Sequence, residues 1–156
     1  MVTASQDHAP EEGEPTLRFS AVWHTSGVAA ADARAAIRAL LAQVGFSPHH
    51  TSSQDAQLIV SELVTNAARH APGPGALEVE LTADATLLRI SVRDSSPRLP
   101  ELRERNARRV GGHGLYLISR LCDQLHTVVL DAGKKIVAHL RLHTSPPGVE
   151  AGPRLA

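Results

Sequence analysis

The stretch Leu77-Glu78-Val79-Glu80-Leu81, followed after a turn near Asp84 by Leu88-Arg89-Ile90-Ser91-Val92-Arg93, alternates apolar and polar side chains. Successive side chains of an extended strand point to opposite faces, so each run collects its apolar residues on one side and its charges on the other. The pair reads as a β-hairpin with one wet face. Such a sheet needs a cover on its other face only.

Candidate covers lie on both flanks. Upstream, Leu17 to Trp23 reads as a first strand, and Ala33, Ile37, Leu40, Leu41 and Val44 then fall at helical spacing between Ser26, a candidate cap, and Gly45, a stop. A second helix is predicted to open at Thr51-Ser52-Ser53, where Ser52 and Asp55 resemble a capping box, and to run to about His70. Pro72, Gly73, Pro74 and Gly75 end it. Downstream, a third helix follows Gly111 to Gly114 and is predicted to reach about Leu125, with strands at His126 to Leu130 and Lys135 to Leu142. In the last strand Ile136, Ala138, Leu140 and Leu142 are assigned to the core, and Val137, His139, Arg141 and His143 to the other face. The His49-His50 pair reads as surface loop. The expected fold class is α+β, a two-layer α/β sandwich with a mostly antiparallel mixed sheet and helices on one face. Residues 1–15 and 145–156, rich in Pro, Gly, Ala and charge, read as tails around one domain at 16–144.

Composition narrows the function classes. With 42% hydrophobic residues and 3% aromatic, the core of this 156-residue chain must be built from Leu, Val, Ile and Ala. Lys plus Arg and Asp plus Glu are equal at 16 each, so no global field favours nucleic acid or an anionic membrane. A single cysteine, Cys122, forms no intrachain disulfide, and a reducing cytoplasm is the expected compartment. The acidic start around Asp7, Glu11, Glu12 and Glu14 has neither the basic residues nor the apolar stretch of a signal peptide.

The common phosphate motifs are absent: there is no Gly-x-x-x-x-Gly-Lys-Ser/Thr, and no Gly-x-Gly-x-x-Gly after a strand. Zinc motifs are absent too, since there is no Cys pair and no His-Glu-x-x-His. Three other segments carry chemistry. In Ser61-Glu62-Leu63-Val64-Thr65-Asn66-Ala67-Ala68-Arg69-His70, residues Glu62, Asn66 and His70 form a polar stripe beside the apolar stripe of Ile59, Leu63 and Ala67. A carboxamide one turn from a carboxylate can offer an oxygen to Mg²⁺ while the carboxylate accepts a proton; the same pattern also fits a solvated helix face. Asp94, at the end of Val92-Arg93-Asp94-Ser95-Ser96-Pro97, can accept from an amino group or simply cap the turn. Gly111-Gly112-His113-Gly114 precedes a helix and offers backbone N–H groups to an anion, or serves as a hinge.

In this order, Glu62-x-x-x-Asn66, Asp94 and Gly112-x-Gly114 resemble the N, G1 and G2 boxes of the histidine-kinase-like (GHKL) ATPases. The wording Ser-Glu-Leu-Val-Thr-Asn-Ala-x-x-His, Val-Arg-Asp-Ser-Ser-Pro and Gly-His-Gly-Leu is similar to that of the anti-sigma-factor serine/threonine kinases, over roughly residues 15–143. The resemblance implies an ATP-binding fold with ATP and Mg²⁺ as cofactors. It implies Glu62 as general base, Asn66 as Mg²⁺ ligand, Asp94 as adenine contact, and Gly112, His113, Gly114 and Leu115 as the phosphate-binding turn. The lid would span Arg98 to Val110, with Arg103, Arg105, Arg108 and Arg109 facing phosphate. Partners implied are a sigma factor and an anti-anti-sigma-type antagonist protein, with homodimer pairing through the sheet edge or first strand.

Two departures stand out. The wider superfamily carries Asp-x-Gly-x-Gly/Ala at G1, whereas Asp94-Ser95-Ser96-Pro97 has no glycine and a stiffening proline. That leaves open an ATP-sensing interaction module with weak catalysis. Related sequences often carry Gly-Lys-Thr before the last strand; here Gly133-Lys134-Lys135 stands there, and Lys134 is assigned no catalytic role.

Overall fold

The computed structural model describes residues 15–25, 27–98 and 113–143. Eight elements follow in order: β1 Pro15–Trp23, α1 Ala30–Ala42, α2 Thr51–His70, β2 Gly75–Thr82, β3 Leu87–Asp94, α3 His113–Leu121, β4 Gln124–Leu130 and β5 Gly133–Arg141. The strands form one five-stranded sheet in the order β1-β2-β3-β5-β4, every pairing antiparallel. The expected α+β architecture is the one observed.

The hairpin of β2 and β3 is in the register its alternation requires. Leu77 pairs Val92, Val79 pairs Ile90 and Leu81 pairs Leu88, so three apolar rungs share one face. Asp84 Oδ1 holds the turn, accepting from Thr82 Oγ1 at 2.8 Å, Thr86 Oγ1 at 2.7 Å and Thr86 N at 3.1 Å. These bonds hold the Asp84 carboxyl below its ordinary titration range. The apolar face is covered by helices: Ile37 and Leu41 of α1, Ile59, Val60 and Leu63 of α2 and Ile118 of α3 are buried with it in one cluster.

Helix ends depart from the sequence expectations in three places. Helix α1 begins at Ala30 after Ala29, with no side-chain cap, and Ser26 lies outside the described residues. The helix ends at Ala42, so Val44, expected on its apolar stripe, lies outside it and is 37% exposed, while Gly45 takes φ +95° and Phe46 N donates to Leu41 O at 3.1 Å. Helix α2 is capped by His50, whose Nδ1 accepts from Ser52 N at 3.0 Å while its ring meets the Phe46 ring edge-on. Ser52 is therefore inside the helix, and its Oγ accepts from His143 N at 3.1 Å instead of capping. His50 does lie in the loop before the helix, but its bland surface reading and the capping box at Ser52 are both corrected.

Helix α3 ends at Leu121, short of Leu125. Asp123 N donates to His139 O at 2.8 Å and Asp123 Oδ2 accepts from Arg141 N at 2.6 Å, so pairing with β5 takes the chain out of the helix there. Leu125 consequently sits in β4 opposite Ala138. Val137, assigned to the wet face, lies opposite Ser91 and His126 and is buried between them, 5% exposed. No helix among the described residues is long and apolar enough to cross a membrane.

Candidate functional site

The polar stripe of α2 lies where its angle to the apolar stripe places it. Ile59, Leu63 and Ala67 are buried, Glu62 and Asn66 are half-buried, and His70 is exposed. Neither Glu62 nor Asn66 is hydrogen-bonded through its side chain to another described residue, and both stand at the rim of the core. The turn that carries them is fixed to α1, since Arg34 Nη1 donates to Ser61 Oγ at 3.0 Å.

Backbone and side-chain bonds settle which end of the sheet this stripe approaches. His143 N donates to Ser52 Oγ, and Leu142 N donates to Thr86 O, so α2 starts at the end of the sheet where β5 finishes and β3 begins. At the other end Ser95 Oγ donates to Pro74 O at 2.6 Å, tying the turn after β3 to the loop after α2. The second half of α2, with Glu62, Asn66 and His70, therefore runs toward the edge where Asp94 ends β3 and Gly133 opens β5. Helix α3 is anchored at its C-terminal end beside His139, so His113 and Gly114, which begin it, are at the opposite end.

Asp94 is not isolated at that edge. Its register partner is Lys134, and by strand alternation both side chains project from the face covered by helices, one rung beyond the apolar pair Val92 and Ile136. Lys134 Nζ donates to Asp94 Oδ1 at 3.0 Å, with the side chains 4% and 2% exposed. Lys134 Nζ also donates to Ser96 O at 3.3 Å, and Ser96 N donates to Asp94 Oδ1 at 2.9 Å. The backbone packs equally closely: Gly133 has φ +113°, and a Cβ there would fall 2.0 Å from Asp94 O. The 94–96 turn is thus shaped by a lysine clamp and a carboxylate cap where the related G1 box uses glycine. The capping reading of Asp94 is realised through Oδ1, and Oδ2 has no donor among the described residues.

Lys134, assigned no catalytic role from the sequence, is buried against Asp94. The available signal was parity: Lys134 shares the phase of Ile136, Ala138 and Leu140, so a cation was due on the core face. Leu115 is buried, 4% exposed, within the hydrophobic cluster. Gly111, Gly112 and the lid arginines Arg103, Arg105, Arg108 and Arg109 lie outside the described residues. Arg98 N donates to Ser96 Oγ at 3.1 Å, extending the same turn. Burial pushes the Cys122 thiol up from its ordinary range, and its Sγ donates to Ile118 O at 3.0 Å; the residue is half-buried against the edge of the core. Among the described residues no three His, Cys, Asp or Glu side chains are grouped to hold a metal ion.

Comparison with known proteins bears on the family and the fold. A family model described as histidine kinase-like ATPase domain matches residues 25–140. The RsbU and RsbW domains of Rv1364c from Mycobacterium tuberculosis match in fold, with a TM-score of 0.57 at 22% identity over 81% of this chain. This chain spans 33% of that one. A histidine kinase domain from Erythrobacter litoralis EL346 blue-light activated histidine kinase matches with a TM-score of 0.42 and 21% identity, over 57% of this chain and 44% of that one. No curated protein matches the sequence.

Proposed function

The chain belongs to the histidine kinase-like ATPase domain family, and on that premise we propose that it binds Mg·ATP along the polar rim of α2 and acts as an anti-sigma-factor-type protein serine/threonine kinase. In this reading it works in the cytoplasm, phosphorylates an antagonist protein and binds a sigma factor. The observation that carries the site is the pair Glu62 and Asn66: half-buried, one turn apart, without other described partners, on the half of α2 that runs toward Asp94. The partner reading is supported by the Ser-Glu-Leu-Val-Thr-Asn-Ala and Gly-His-Gly-Leu wording and by the likeness in fold to a protein that contains an RsbW domain.

The residues fit the ligand by their donor chemistry. Asn66 gives a carboxamide oxygen, sufficient for a magnesium ion that keeps waters and takes phosphate oxygens. Glu62 accepts the proton of the attacking hydroxyl, Asp94 faces the adenine amino group, and the backbone N–H groups of 112–115 hold phosphate at the start of α3. Mg·ATP supplies the γ-phosphoryl group and the charge neutralisation; positioning by these residues is the rest, and no covalent enzyme intermediate is needed.

The test is to mix the protein with Mg·ATP and a candidate antagonist and read phosphoserine on the antagonist. Glu62→Ala is expected to abolish the product while nucleotide still binds; undiminished product in that variant contradicts the base assignment. A second reading, an ATP-sensing interaction module with weak catalysis, is favoured by the rigid clamped turn at 94–96. ATP binding without transfer to any antagonist supports it.

A further inference from the structure

The rung formed by Asp94 and Lys134 is the odd one in its ladder. Leu88 faces Leu140, Ile90 faces Ala138 and Val92 faces Ile136, all apolar, and then a carboxylate faces an ammonium at 4% exposure or less. Burying an ion pair costs desolvation that the mutual attraction barely offsets, so an apolar pair serves stability at least as well. The bonding pattern indicates what the ionic rung offers instead. Asp94 Oδ1 takes two donors, Lys134 Nζ and Ser96 N, while Oδ2 has no donor among the described residues. Lys134 spends two of its three N–H groups, on Asp94 Oδ1 and Ser96 O, and the third has no acceptor among the described residues. An acceptor oxygen and a charged donor are therefore held side by side in the layer between sheet and helices.

We propose that Lys134 is a base-recognition residue whose ammonium donates to N1 of adenine while the adjacent Asp94 carboxylate accepts from the 6-amino group. The inference rests on the nucleotide reading above and deepens it. On the Watson–Crick edge of adenine a donor and an acceptor stand next to each other, and the Asp94–Lys134 pair presents the complementary acceptor and donor. Lys134 also fixes the carboxylate, because the bond to Oδ1 turns Oδ2 away from the clamp. A base with a 6-oxo group, held in the same pose, sets oxygen against carboxylate and an N–H against ammonium, and both contacts become repulsive.

The experiment measures binding of ATP and of its 1-deaza analogue, in which a C–H replaces the N1 acceptor, to the full chain and to Lys134→Met. Wild-type protein is expected to prefer ATP by about 10- to 100-fold, the range for one hydrogen bond to a charged group. In Lys134→Met that preference is expected to shrink toward unity, even where both nucleotides bind less well. A purely structural lysine lowers both affinities together and leaves their ratio unchanged, which overturns the proposal. Equal binding of the two nucleotides by the wild type overturns it without any variant, so a Lys134→Met protein that fails to fold leaves a decisive measurement in hand. Failure of the wild type to bind ATP at all removes the nucleotide reading itself and is distinct from ATP binding that ignores N1.

Discussion

The indole of Trp23 occupies the space that a side chain at Gly75 would need: a Cβ there would lie 2.5 Å from Cζ2 and 2.6 Å from Cε2 and Nε1. The two residues are register partners at the end of the β1–β2 pairing, and the ring, 8% exposed, belongs to the core cluster. Gly75→Ala must push the ring or part the strands. A loss of about 1–3 kcal/mol is expected, the usual cost of overpacking. Urea unfolding followed by the fluorescence of Trp23, the single tryptophan, reads it directly, and an unchanged midpoint contradicts the packing.

Two ion pairs of unlike burial should differ in worth. Lys134→Met leaves the Asp94 carboxylate buried without its counter-ion and is expected to cost about 3–5 kcal/mol. Glu80 instead pairs with Arg89 and Arg18, which are 46% and 65% exposed, so Arg89→Met should cost less than about 1 kcal/mol. Denaturant midpoints of the two variants decide between this ordering and its reverse.

The wet face of the sheet carries a pH response. His139 stacks on His126 with ring centroids 5.5 Å apart and pairs across the ladder with Arg89. Burial, then the neighbouring His126, then Arg89 lower its pKa from the ordinary 6.5. The unfolded chain then binds more protons than the folded one just below that value, so stability rises with pH there. The contribution of His139 is fully present above the ordinary value and is lost as the pH falls through the lowered folded value. Unfolding free energy should drop as the pH falls below the ordinary value of 6.5 toward the lowered folded one, and His139→Gln should flatten that slope. A variant with the wild-type slope contradicts the assignment.

His50 caps α2 through Nδ1, and His50→Ala is expected to destabilise the protein by about 0.5–2 kcal/mol, with His50→Asn recovering most of it. Thermal unfolding of the three proteins checks the order. Equal stability of the alanine and wild-type proteins places the cap elsewhere.

These residues also mark how far the sequence could be read. The hairpin was legible because alternation at Leu77 to Val92 leaves one register that buries every apolar residue. The margin position of Glu62 and Asn66 was legible because helical angles are fixed by spacing. The cap at His50 was not, because an imidazole caps only when its ring is turned, here beside Phe46, which is a tertiary contact. The end of α3 was misjudged because Leu125 suits a helix face and a strand face alike, and the choice falls to the pairing of Asp123 with β5. Strand parity puts Lys134 on the core face, but its pairing with Asp94 depends on the long-range register of β3 on β5, which no local pattern carries.

The central claim, a Mg·ATP site on the rim of α2, is tested most directly by calorimetric titration of the protein with ATP, with and without Mg²⁺, beside Asn66→Ala. Magnesium-dependent binding by the wild type and its loss in a folded Asn66→Ala protein are the predicted results. Absence of ATP binding by folded wild-type protein, or magnesium-dependent binding that Asn66→Ala leaves intact, contradicts the site.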